Sequence, residues 1–376
     1  MSKLRKRSED VRQFILENIE QNAKTIAALT AEKFHITRTA VRRHILNLIE
    51  QGIIISTGKT KSTKYSLRSQ EAWETTINLD DKPAEDTIWR NEIKDRIGNL
   101  PDNVMQIWNH GFTEMFNNAI DHSSGHIAVI HITKNALLTE IKISDDGEGI
   151  FTKIKNAMNL DDERHAVIEL TKGKLTTDPM HHSGEGIFFS SRMFDKFSIL
   201  SGDVYLSHVY KDDEDWILKN TEYEIEVSKG TLVTMQLSNN TARTTQEIFD
   251  KFSDENYGFT KTVVPVRLAQ YGNEQLVSRS QAKRLLTRID RFKTVVFDFR
   301  GVESIGQAFA DEVFRVFVSQ HPEITIEPIF ENENINAVIN RVKSSGSTAR
   351  GSELEETSAS TTSISSITAT TNIPNK

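Results

Sequence analysis

The chain has 376 residues, 37% of them apolar, and a net charge of −7; a chain of this length exceeds one ordinary core and predicts two to four domains. It has no cysteine, which excludes disulfides and thiolate metal sites. No run approaches the roughly 18 apolar residues of a membrane span, and no apolar stretch follows the charged residues 1–12, so the expectation is a soluble, cytoplasmic protein with no signal peptide and no membrane partner.

The charge is unevenly spread. Residues 1–70 carry 14 Lys and Arg against 6 Asp and Glu, a balance of +8 that leaves −15 for the remainder. A basic head of this kind suits a polyanion, which the acidic rest would repel. Val11, Ile15 and Ile19, widened by Phe14 and Leu16, have the spacing of a helix, and a short second helix is expected from Thr25 through Phe34. A third follows Thr37, a reasonable N-cap, with Val41, Ile45, Leu48 and Ile49 facing inward. Its outer face carries Arg38, Thr39, Arg42 and Arg43, cations and hydroxyls where a recognition helix would meet the major groove. After Gly52 the pattern alternates as a hairpin, from Ile53 to Thr57 and from Thr63 to Leu67, with Lys59, Lys61 and Lys64 about its turn. These elements resemble a winged helix-turn-helix domain of bacterial regulators. The resemblance implies double-stranded DNA as partner and, because such domains commonly read two half-sites, a homodimer. The alternative is a head that docks protein.

Residues 69–86, SQEAWETTINLDDKPAED, read as a linker in which Trp73 is able to tack the chain to a neighbour. A helical pattern resumes at Ile88 and reaches EMFNNAIDH, residues 114–122. Here Glu114 and Asn118 are four apart and share a helical face. A carboxylate there can orient a water, and a carboxamide can hold Mg²⁺, which prefers oxygen ligands. The strand-like run Leu137 to Ile143 then turns through DDGEGI, residues 145–150; glycine lets backbone approach a flat ligand, and Asp145 is placed to accept the exocyclic amine of adenine. A third pattern, HSGEGIFFSS at 182–191, puts Gly184 and Gly186 at the start of a helix, where free N–H groups favour phosphate.

The three patterns in this order resemble the GHKL (Bergerat-fold) ATP-binding family, over residues 85–238. The resemblance implies an adenine site at Asp145, Gly147 and Gly149, a phosphate site at Gly184 and Gly186, and Mg²⁺ on Asn118. It also implies that Gly230 and Thr231 close the adenine pocket, and that Glu114 is a general base. Residues 151–181 would then be a lid, with Lys172 and Lys174 within reach of phosphate or simply solvated. Histidine kinases place a two-helix phosphoacceptor segment before this box, and the chain leaves no room for one. His110 reads as a packing residue rather than a phosphoacceptor. His122, His181 and His182 lack a further ligand at useful spacing and read as lid or surface residues.

Val204 to Tyr210 and Trp216 to Val227 read as a meander leading into Thr231 to Leu237, and residues 239–258 as a connector. Strands at Thr262–Val266, 294–299 and Ile324–Pro328 then alternate with helices at Ser278–Ile289, Gly306–Val318 and Ile335–Val342, a small α/β layer. VVFDFRGVESIGQAFADEVFRVF resembles the STAS-like fold of anti-sigma-factor antagonists, above all the divergent form fused to GHKL ATPases. The position that is a phosphorylated serine in those antagonists is Ala308 here, beside Gln307, and Ser304 lies a turn too early, which favours a protein-binding role over phosphorelay. Residues 344–376 hold 16 Ser and Thr among 33, too little apolar surface to offset chain entropy, and read as a disordered tail.

The expected fold class is α+β and multidomain. A winged helix spans 1–68, a linker 69–86, a GHKL α/β sandwich 87–238, a connector 239–258, a small STAS-like domain 259–343 and a disordered tail 344–376. The expected function is an ATP-binding signalling or transcription regulator, a GHKL ATPase module joined to a DNA-binding head, with ATP and Mg²⁺ as cofactors. Alternatives are a serine or histidine protein kinase, an anti-sigma-like partner-switching factor, or a nucleotide-sensing scaffold without turnover.

Overall fold

The computed structural model describes residues 3–59, 62–175, 184–210, 215–220, 227–270 and 274–344. The chain is α+β and divides into two units, the first ending at Phe259 and the second beginning at Thr260. No described helix is long and apolar enough to cross a membrane.

Three helices, α1 (Lys3–Asn18), α2 (Ile26–Phe34) and α3 (Arg38–Glu50), open the first unit. Val11 and Ile15 of α1 and Ile19 just after it meet Ile26 of α2 and Val41, Ile45 and Leu48 of α3 in one buried cluster. The extended Thr37 accepts a 3.2 Å hydrogen bond from the Ala40 N–H and so starts α3. Strands β1 (Ile54–Thr57) and β2 (Lys64–Leu67) follow as an antiparallel hairpin, Ile54 opposite Leu67.

The segment expected as a linker is instead ordered by a sheet. Strand β3 (Glu71–Asn78) pairs antiparallel with β4 (Ile127–Lys134) along its whole length. Trp73, Thr75 and Ile77 lie half-buried while Ala72, Glu74 and Thr76 are exposed, a period of two that the acids and hydroxyls of this segment obscure. An edge strand needs only one ladder and one covered face, so so polar a sequence suffices. The Arg96 guanidinium lies 5.0 Å from the Trp73 ring centre, holding the strand to the helical segment beyond it.

The full sheet runs β3-β4-β5-β9-β6-β7-β8, with β5 at Leu138–Asp145, β6 at Lys196–Gly202, β7 at Val204–Val209, β8 at Asp215–Asn220 and β9 at Val227–Ser238. Every described pairing in it is antiparallel. A helical run of α4 (Glu85–Ile88), a π turn and α5 (Lys94–Ile97) leads to α6 (Asp102–His122), whose Ile107, Trp108, Phe112, Met115 and Phe116 are buried. Helices α7 (Ile150–Met158), α8 (Glu163–Lys172) and α9 (Gly186–Met193) complete the layer.

The expected connector 239–258 contains a helix as well, α10 (Thr245–Phe252). Its apolar residues Ile248, Phe249 and Phe252 are spaced for one face, and the Phe249 and Phe252 rings stand 4.5 Å from Phe189 and 4.9 Å from Phe188. Thr244 and Glu247 form a reciprocal capping box at its start. Thr244→Ala is expected to cost about 1 kcal/mol in a denaturant titration; an unchanged midpoint would mean that α10 owes nothing to this cap.

In the second unit, β10 (Lys261–Pro265), β11 (Thr294–Asp298) and β12 (Thr325–Ile329) form a parallel sheet in that order. They are linked through α11 (Arg279–Leu286) and through α12 (Gln307–Asp311), a π turn and α13 (Val318–Gln320), and a helix over 333–344 follows. This is the alternation expected from sequence. The Ser/Thr-rich tail after 344 lies outside the described residues.

Candidate functional site

The apolar faces of α6 and β5 fix which polar groups are left to converge. On α6, burying Met115 and Ala119 against the sheet turns Glu114 and Asn118 toward a cavity of about 270 Å³. On β5, burying Ile141 and Ile143 brings Asp145 to the strand's end, beside Thr231 of the neighbouring β9. Glu114, Asn118, Asp145, Thr231, Gly184 and Gly186 thus line one space, with Ile143, Ile150, Ile154 and Val233 forming apolar walls. These residues come from α6, β5, α7, β9 and the start of α9, and lie up to 117 positions apart in sequence (Glu114 to Thr231).

Asp145 is held by its backbone surroundings. Its Oδ1 accepts from the Gly147 N–H at 3.0 Å and the Thr231 N–H at 3.2 Å. Its Oδ2 accepts no hydrogen bond from a described residue. Burial pushes the carboxyl above its ordinary range, and the two backbone donors oppose that shift. Thr231 Oγ1 in turn accepts from the Ile150 N–H at 3.0 Å, fixing the start of α7. The Asn118 side chain makes no hydrogen bond to a described residue, so its amide is available to whatever fills the cavity.

Gly147 and Gly149 do not line the cavity but shape the turn behind Asp145. A Cβ on Gly147 would fall 2.1 Å from the Ser123 carbonyl oxygen, so the turn seats against the end of α6 only with glycine there. At Gly186 a Cβ would stand 2.0 Å from Glu114 Oε2, which ties the first residue of α9 to that carboxylate.

The segment expected as a lid is largely a packed pair of helices. From His165 to Lys172, α8 is buried, and Lys172 is 1% exposed with its Nζ 2.6 Å from Glu169 Oε1. Burial of a lysine demands an acidic partner, and that partner draws Lys172 away from the cavity. Lys174 lies 5.5 Å from the Phe259 ring centre and is not among the lining residues. His181 and His182 lie outside the described residues. His110 packs edge-on to Phe249 at 5.5 Å, and burial lowers its pKa to about 4, a packing environment like the one expected. No cluster of three potential metal ligands occurs among the described His, Cys, Asp and Glu residues.

His122, expected as a lid or surface residue, lines the cavity, and so does Lys153, which sequence reasoning passed over. His122 was legible as the end of EMFNNAIDH. Lys153 had no sequence signal beyond lying one turn into the helix that follows DDGEGI.

On the head, Arg38, Thr39, Arg42 and Arg43 are all exposed on α3, as are Lys59 and Lys64 beside the hairpin turn. The three arginines form no ion pair with a described residue. Lys61 lies outside the described residues.

In the second unit, residues 281–337, from α11 into the last described helix, match the family model of the STAS-like domain of unknown function (DUF4325). No curated protein matches the chain. Within this STAS-like unit Gly306 precedes α12, and Ala308 is exposed in its first turn. Asp298, buried at the end of β11, binds the Arg300 guanidinium, which also lies 4.6 Å from the Phe330 ring centre.

Proposed function

We propose that the chain is an ATP-binding signalling or transcription regulator. On this reading a GHKL-type nucleotide unit is joined to a winged-helix head for double-stranded DNA and to a STAS-like unit that docks a protein. The observation that carries the reading is the single cavity in which the unengaged Oδ2 of Asp145, the unengaged amide of Asn118 and the Glu114 carboxylate converge with two glycines at the start of α9. Oδ2 suits an exocyclic amine donor, the apolar walls suit a flat base, and the N–H groups at the start of α9 suit phosphate.

The residues fit Mg²⁺ only in company with a ligand's phosphates. Asn118 offers one oxygen and no three-residue acidic cage occurs among the described residues, which matches an ion that keeps waters and phosphate oxygens. Mg²⁺, when bound, would neutralise phosphate charge. Glu114 would hold a water and take its proton, and Asp145 would fix the base.

Titration of the full chain with Mg²⁺-ATP should give heat and a thermal shift; absence of both would end the nucleotide reading. For the head, support comes from three unpaired exposed arginines on one helix and lysines at the adjacent hairpin. Replacing Arg42 and Arg43 together by Ala should weaken binding to duplex DNA at least tenfold and reduce the salt slope of log K by about 2. If the slope stays unchanged, α3 does not face phosphate. The head is read as acting in a homodimer.

A further inference from the structure

Lys153 is the one lysine or arginine among the described residues that line the cavity. Its Nζ donates to the His122 carbonyl at 2.8 Å and stands 3.2 Å from Glu148 Oε1. The third direction meets only Ser124 Oγ, at 3.5 Å, a distance too long for a good hydrogen bond. Glu148 lies between the two glycines of the Asp145 turn, and its side chain is 41% exposed. An ion pair so open to water contributes little, so the ammonium can leave Glu148 at small cost. A phosphate oxygen inside the cavity is the stronger partner, because a charge-assisted hydrogen bond gains as water is excluded.

The rest of the site needs such a cation. Glu114 and Asp145 bring carboxylates to the cavity, and a nucleotide adds phosphate charge. Of the two lysines expected from sequence for this task, Lys172 pairs with Glu169 and Lys174 lies over the Phe259 ring, and neither lines the cavity.

We infer that Lys153 is the phosphate anchor of this site, exchanging Glu148 for a phosphate of an adenine nucleotide and so making the site favour ADP and ATP over the bare nucleoside. The inference rests on the nucleotide reading above. The lysine, on α7, remains tied to the His122 carbonyl at the end of α6, so a hydrogen bond links the anchor to the helix that carries the proposed metal ligand Asn118.

The test measures adenosine, ADP and ATP affinities of the full chain by calorimetry. Lys153→Met should weaken ADP and ATP about tenfold or more and leave adenosine unchanged. Lys153→Arg should retain most of the preference for ADP over adenosine. Glu148→Gln separates an anchor from a mere clip between α6 and α7. It frees the ammonium and should leave ADP affinity intact or tighter, whereas a clip would lose affinity as Lys153→Met does. Equal losses for adenosine and ADP in Lys153→Met, or no loss, overturn the anchor while the nucleotide reading stands. Wild-type protein that binds none of the three ligands overturns the nucleotide reading, and the anchor falls with it.

Discussion

Asp145→Asn should lower the affinity for adenine nucleotides by about 10²-fold or more while leaving the fold intact. The asparagine Oδ1 can keep both backbone hydrogen bonds, from Gly147 and Thr231. At the other position an acceptor becomes an N–H₂ donor facing the donor amine of the base. A charged hydrogen bond is lost and two donors are opposed, which together amount to roughly 3 kcal/mol. The same substitution tests the electrostatics. Burial raises the Asp145 pKa in the folded chain, so folding is favoured by its proton below the unfolded value, and that contribution is lost as pH rises through the folded value. Above that folded value the ionised Asp145 therefore opposes folding, and there Asp145→Asn should melt no lower than wild type. Ligand binding has the opposite sign, since only the carboxylate accepts on both oxygens. Affinity should fall as pH is lowered through the raised pKa of Asp145. A variant that melts normally and binds ATP as wild type would remove Asp145 from the site.

Glu114→Ala should reduce ATP turnover by about 10²-fold, the usual size of a general-base contribution, with nucleotide affinity preserved. Glu114 lies on the same face of α6 as Asn118, and the backbone of Gly186 closes against its carboxylate. Gly186→Ala should therefore resemble Glu114→Ala in turnover, because the new methyl would stand 2.0 Å from Oε2 and must displace it. Phosphate release and phosphate transfer onto protein are measured together. Turnover unaffected by Glu114→Ala would remove it as base, and label retained on the chain or a partner would favour the kinase alternative.

Much of the fold was legible because local pattern and tertiary demand agree. The 3.6-residue stripes of α1, α3 and α6 are the faces that the core buries, and the strand–helix alternation after residue 260 yields the parallel sheet. Two segments were hidden for opposite reasons. β3 is an edge strand, so half of its residues face water and its composition resembles a linker. α10 is only eight residues long, and its aromatic face has meaning only beside Phe188 and Phe189.

The site divides in the same way. Residue types at short spacing, Glu114 with Asn118 and Asp145 with its glycines, determined from sequence which groups can act together, since four-residue helical spacing and a glycine turn fix direction without help from the rest of the chain. Which lysine faces the cavity was decided only by tertiary packing. Lys172 and Lys153 look alike as loop-side cations in the sequence, but α8 is buried and forces Lys172 onto Glu169. Lys153 instead reaches across from α7 to the carbonyl that ends α6. A charge settles where long-range neighbours offset its desolvation, and those neighbours are assembled by the sheet, not by the local sequence.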